Sequence, residues 1–228
     1  MITLPMPFRL RHVHVYASVW DGQVTLFDTG LNGAASRECL KTALGIIGIP
    51  INRIGAVYIT HYHADHCGMA GWLQDKFGAV IHMSETDNAI LQNNRAPDVF
   101  VRLVRPFYRR HGLPDRAIDL LESLREQFKR LSPPFFADVH VRLTDDLTDG
   151  NRRFRALPAP GHTRGQVCYY FEKERILLSG DHVLPDITPN LSPDLFCPEF
   201  PCLSSYLGAL EELKNVRMVP ITPATTMP

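Results

Sequence analysis

Apolar and polar residues alternate along 10–20 and again along 23–28, on either side of Asp21-Gly22. A period of two sends successive side chains to opposite faces, and Asp-Gly suits a tight turn, so this stretch predicts a β-hairpin. The second strand runs out at Asp28-Thr29-Gly30, and a helical spacing follows from about Ala35 to Ile47. Ile54 to Thr60, IGAVYIT, is a short β-branched run of the kind that forms a buried strand. Met69 to Lys76 predicts a helix and Ala79 to His82 another strand. From about Glu85 to Leu131 the spacing is helical, with breaks expected at Pro97, Pro106 and Pro114, and Pro133-Pro134 closes the region. Strands are predicted near 153–158, 166–171 and 175–179, and a last helix from Ser204 to Lys214. Strand-rich halves interleaved with helices predict a layered α/β fold, read as one domain over 1–228.

A chain of 228 residues can bury a core of its own without disulfide or metal staples. Lysine plus arginine and aspartate plus glutamate each total 24, so no basic field invites a nucleic acid. The nearest cationic cluster, Arg102, Arg105, Arg109 and Arg110, has the spacing of a solvated helix face. Five cysteines, Cys39, Cys67, Cys168, Cys197 and Cys202, lack framework spacing and point to a reducing compartment. No apolar run reaches the ~20 residues of a membrane span, and the N-terminus lacks a leader pattern. A cytoplasmic protein with a small-molecule partner is therefore expected, and self-association is left open.

The chemistry concentrates in His61-Tyr62-His63-Ala64-Asp65-His66, directly after a predicted strand. Histidines two apart in an extended segment converge on one ion, and the adjoining aspartate and histidine can turn toward a second. Imidazole with carboxylate suits zinc and, less selectively, iron or manganese.

This sequence resembles the metallo-β-lactamase superfamily, whose signature is an HxHxDH loop. Asp28-Thr29-Gly30, Pro160-Gly161-His162-Thr163 and Gly180-Asp181-His182 resemble further elements of the same family, in the same order. The resemblance implies a four-layer αββα sandwich with a first metal on His61, His63 and His162. It implies a second metal on Asp65 and His66, with Asp181 bridging the two ions and Asp28 orienting the loop. Zinc, one ion or two, is the implied cofactor, with iron and manganese as alternatives. The implied reaction is attack of a metal-activated hydroxide on a small ester, thioester or lactone, with Asp65 as the catalytic residue that orients the nucleophile or shuttles a proton.

The sequence departs from that pattern near its end. Where the family carries a further histidine stands Val219-Pro220-Ile221-Thr222-Pro223, and Thr222 takes the histidine's place. This predicts an atypically short C-terminus and an incomplete second site, with three outcomes open: a weakly held second ion, a one-metal enzyme, or lost turnover. His182 and Cys67 are weaker candidates for the missing ligand. The helical insertion at about 92–136 resembles a cap over the metal cleft; Phe107, Tyr108 and Arg109 are its candidate substrate contacts, with Arg105 or Arg109 meeting an anionic part. Two rival functions accompany the hydrolase: a mononuclear iron enzyme like the persulfide dioxygenases, on His61, His162 and Asp181, and a degenerate metal-binding domain without turnover.

Overall fold

The hairpin forms where the alternation predicts it. In the computed structural model, which describes all residues except 9, 97, 144–145 and 219–228, β2 (His12–Trp20) pairs antiparallel with β3 (Gln23–Phe27). Asp21 and Gly22 both take positive φ, 49° and 70°, the twist that two-residue hairpin turns require. A strand not predicted, β1 (Ile2–Pro5), pairs antiparallel with β2, while β4 (Ile54–Tyr58), β5 (Val80–Ser84) and β6 (Val139–Val141) add in parallel on the far side of β3. The second sheet is antiparallel, in the order β10-β9-β8-β7, and comprises β7 (Asp146–Asp149), β8 (Arg152–Pro158), β9 (Val167–Phe171) and β10 (Ile176–Leu178).

The two sheets meet through aromatic rings. Phe27 and Tyr58 of the first sheet pack edge-on against Phe154 and Tyr169 of the second, with centroids 5.0–5.5 Å apart. On the outer face of the first sheet, α1 (Ala34–Ile46) and α3 (Ala70–Phe77) bury Leu40, Leu44 and Leu73 against Leu26, Val57 and Ile81. On the outer face of the second, Leu213 of α7 (Cys202–Leu213) packs on Ala159 and Cys168. The layers therefore run helix, sheet, sheet, helix, as the sequence resemblance implies. β9 is buried at all five positions, which is why its sequence, VCYYF, lacks alternation.

The helical region contains α4 (Glu85–Arg95), a π-helical turn at Phe100–Val104, α5 (Arg105–Arg110) and α6 (Asp115–Lys129). Pro106 does not break it. The residue falls in the first turn of α5, where a missing amide hydrogen costs little. Pro114 does separate two helices, and Pro97 lies outside the described residues. The arginine row is not simply a solvated face. Arg105 donates to Asp119 (2.6 Å) and Glu122 (3.1 Å), and Arg109 donates twice to Asp115 (2.7 and 3.0 Å), so both are engaged with α6. Arg95 ties α4 to the end of the insertion by donating to the carbonyls of Ser132, Pro133 and Phe135. All five cysteines are free, and no helix among the described residues is long and apolar enough to cross a membrane.

Candidate metal centre

Loops at the ends of both sheets bring the candidate donors together. His61 and His63 follow β4; His63 is still extended and His66 lies on the short helix α2 (Ala64–Cys67). His162 sits in the turn between β8 and β9, and Asp181 follows β10. Gly161 (φ 140°) allows that turn to pass under α7, where an added side chain would run into Tyr206.

His63 Nδ1 stands 3.1 Å from His61 Nε2 and 2.8 Å from His162 Nε2. One ring nitrogen carries one proton or one lone pair, so His63 Nδ1 cannot satisfy both neighbours by hydrogen bonding. A cation accepting all three lone pairs resolves that conflict, and the tautomers are set for it. His61 donates Nδ1–H to Thr60 Oγ1 (3.1 Å), because that hydroxyl gives its own proton to Asp28 Oδ2 (2.9 Å). His162 donates Nδ1–H to the Asn190 carbonyl (2.7 Å). Both Nε2 atoms are thereby left bare toward the centre. Burial, then the neighbouring imidazoles, pushes His61 well below the usual histidine range and His63 down to about 3, so neither ring competes for a proton near neutrality.

A second group adjoins the first. His66 donates Nδ1–H to Asp28 Oδ2 (2.8 Å), which turns Nε2 toward Asp181 Oδ1 (3.1 Å) and Asp65 Oδ2 (3.8 Å). That nitrogen is buried and lacks a properly aligned hydrogen bond. Donor atoms of His61, His63 and His162, and again of His61, His66 and Asp181, lie within 4.8 Å of one another. Asp181 also approaches His162, with Oδ2 3.6 Å from Nε2. Burial lowers the His66 pKa, but Asp181, Asp28 and Asp65 outweigh it and raise the group well above normal. Burial raises Asp181 in turn, but His66 and then His162 hold it down to about 2. The donor set of imidazoles and carboxylates fits a divalent metal.

A family model for the metallo-β-lactamase superfamily matches residues 10–221. The chain belongs to the metallo-β-lactamase superfamily. A metallo-β-lactamase family protein from Thermus thermophilus has a similar structure, with a TM-score of 0.83 and 30% identity over 94% of this chain and 69% of that one. A β-lactamase domain protein from Burkholderia ambifaria gives a TM-score of 0.74 and 26% identity, covering 98% of this chain and 67% of that one. Among curated relatives, a probable metallo-hydrolase of Bacillus subtilis, YqjP, is 26% identical over 83% of this chain and 58% of its own length. The chain spans about three fifths of the length of the first curated relatives it matches.

Within this superfamily member a cavity of about 410 Å³ opens beside His63 and His162. Phe107 and Tyr108 line it, whereas Arg109 does not; its guanidinium is turned to Asp115. The loop at 183–201, unmarked in the sequence, also lines the cavity with Asn190, Ser192, Asp194, Phe196 and Phe200. That loop has no periodicity to announce it. Arg164, two residues beyond His162, is the only lysine or arginine among the described lining residues and lies 3.5 Å from Asp194.

The alternative donors turn elsewhere. Cys67 Sγ donates to the Tyr62 carbonyl (3.1 Å), and burial raises its pKa to about 12, so it stays a thiol. His182 is buried against the Tyr206 ring (5.0 Å) and belongs to neither donor group. Thr222 lies outside the described residues.

Proposed function

We propose that the protein is a metal-dependent hydrolase of small esters, thioesters or lactones. The observation that carries this is the meeting of three imidazole nitrogens, with His61 Nε2 and His162 Nε2 both facing His63 Nδ1, beside a carboxylate-flanked second group. A bound divalent cation, zinc first and iron or manganese as alternatives, would supply acidified water and Lewis acidity toward a carbonyl oxygen. His61, His63 and His162 would hold the first ion, and His66, Asp181 and Asp65 a second. Asp28 holds His66 directly and His61 through Thr60, so a single carboxylate keeps both rings in the ligating tautomer. Asp65, with its side chain 31% exposed, is the group free to orient the nucleophile or pass a proton to the leaving group. His63 favours this reading over an iron oxygenase on His61, His162 and Asp181 alone, since that set leaves the shared nitrogen without a role.

The cavity supports a substrate with an apolar or aromatic body lying between Phe107, Tyr108 and Phe196, with Arg164 as its cationic contact. Arg164→Ala should lower kcat/KM roughly 10–100-fold for acyl substrates bearing a carboxylate and leave neutral ones within twofold, since a hydrogen bond to a charged group contributes roughly 1.5–3 kcal/mol. The test of the function is turnover by the metal-stripped and zinc-reloaded chain on an ester, thioester and lactone panel. Zinc-restored hydrolysis of at least one class is expected. Zinc uptake without turnover on any class would favour the degenerate metal-binding domain.

A further inference from the structure

Asp87 lies in the first turn of α4 and is completely buried, yet it forms no ion pair with a cation among the described residues. Its carboxylate instead gathers three donors from two distant loops. Oδ2 accepts from the Tyr62 amide (3.1 Å) and the Thr163 hydroxyl (2.7 Å), and Oδ1 accepts from the Gly165 amide (2.7 Å). Ser84 completes the junction: its hydroxyl caps the Asp87 amide (3.2 Å) and donates to the Gly165 carbonyl (2.6 Å). A Cβ at Gly165 would stand 2.6 Å from both the Asp87 amide nitrogen and Oδ1, so glycine is what allows the approach. Tyr62 separates His61 from His63, and Thr163 follows His162.

We propose that Asp87 is a positioning residue of the metal centre, a single carboxylate that fixes the gap between the loop carrying His61 and His63 and the loop carrying His162. The inference rests on the metal-centre reading above. These loops come from different sheets, and His63 Nδ1 of one meets His162 Nε2 of the other at 2.8 Å, so a shift of a few tenths of an ångström is felt in the ligand geometry. An amide cannot replace the carboxylate. It offers one acceptor oxygen, and whichever way it turns its NH₂ would confront a backbone N–H, that of Tyr62 or that of Gly165.

The experiment uses the full chain and the Asp87→Asn, Thr163→Val and Leu44→Ala variants. Each is checked for folding by circular dichroism, stripped of metal and titrated with zinc against a chelating dye. Cobalt loading reports ligand geometry through its visible spectrum. Leu44→Ala is a core truncation that loses stability without touching either loop. The expected result is a ~10–100-fold weaker zinc affinity and an altered cobalt spectrum in Asp87→Asn, with a smaller loss in Thr163→Val and affinity within twofold of the parent in Leu44→Ala. A folded Asp87→Asn with parental affinity and spectrum would overturn the proposal. Should Asp87→Asn not fold, parental affinity in Thr163→Val would overturn it. Amide exchange in the metal-free chain separates this proposal from the function: faster exchange at Tyr62 and Gly165 in the variants marks the lost clamp. A parent that binds no metal would end the hydrolase reading, and unchanged exchange in the variants would end the clamp.

Discussion

His63→Ala should abolish hydrolysis while leaving the protein folded. His63 Nδ1 is the atom that both His61 Nε2 and His162 Nε2 face, at 3.1 and 2.8 Å, so its removal takes away the centre of the donor group. A four-ligand zinc site binds with about 10–16 kcal/mol, or roughly 3 kcal/mol per ligand, so losing one weakens affinity ~100-fold. Turnover at micromolar zinc should fall ~1,000-fold or more, since both occupancy and acidification of the water are lost. Stability of the metal-free chain should change little, because His63 Nδ1 cannot hydrogen-bond properly to both ring nitrogens that face it. Zinc titration and thermal unfolding, run with and without metal, check both halves. Parental affinity in the folded variant would mean that the three nitrogens do not share an ion.

Asp28→Asn should damage the second donor group more than the first. Asp28 adopts φ 59°, a conformation asparagine tolerates, so the backbone turn survives and the charge change is isolated. The asparagine oxygen can still accept from the Thr60 amide, as Oδ1 does now at 2.8 Å. The NH₂ then occupies the place of Oδ2, where His66 Nδ1–H and the Thr60 hydroxyl both donate. A His66 that ligates a metal is neutral, and it can relieve the clash by moving its one proton to Nε2, which closes the nitrogen facing Asp181. Affinity at the His66–Asp181 group should fall ~10–100-fold, and the first group, linked through Thr60, by less. Asp28→Ala removes the acceptor altogether and strands three buried donors at about 1–3 kcal/mol each, so a large loss of stability is expected. Calorimetric titration of Asp28→Asn that superimposes on the parent would rule out the tautomer relay.

The candidate metal centre was legible in the sequence because its candidate donors are dense and local: His61, His63, Asp65 and His66 fall within one loop. Asp28 was legible only through the family resemblance; the relay through Thr60 to His61 depends on a side-chain geometry that spacing does not encode. Asp87 was not legible. Ser84-Glu85-Thr86-Asp87 reads as an ordinary helix start, and its partners Thr163 and Gly165 lie far along the chain. The strands β1, β6 and β7 are three or four residues long, too short for alternation to stand out, and form by pairing with longer neighbours. Arg109 was placed on the substrate by its charge and its place in the cap-like insertion, whereas Asp115, six residues away, takes its guanidinium.

The measurement that bears most directly on the metal centre is calorimetric zinc titration of the stripped full chain, with elemental analysis of the protein as purified. Saturable uptake of at least one equivalent per chain, lost in His63→Ala and accompanied by the return of hydrolysis, is the expected result. A folded chain that takes up no zinc, iron or manganese, or whose hydrolysis is indifferent to chelator, would contradict it.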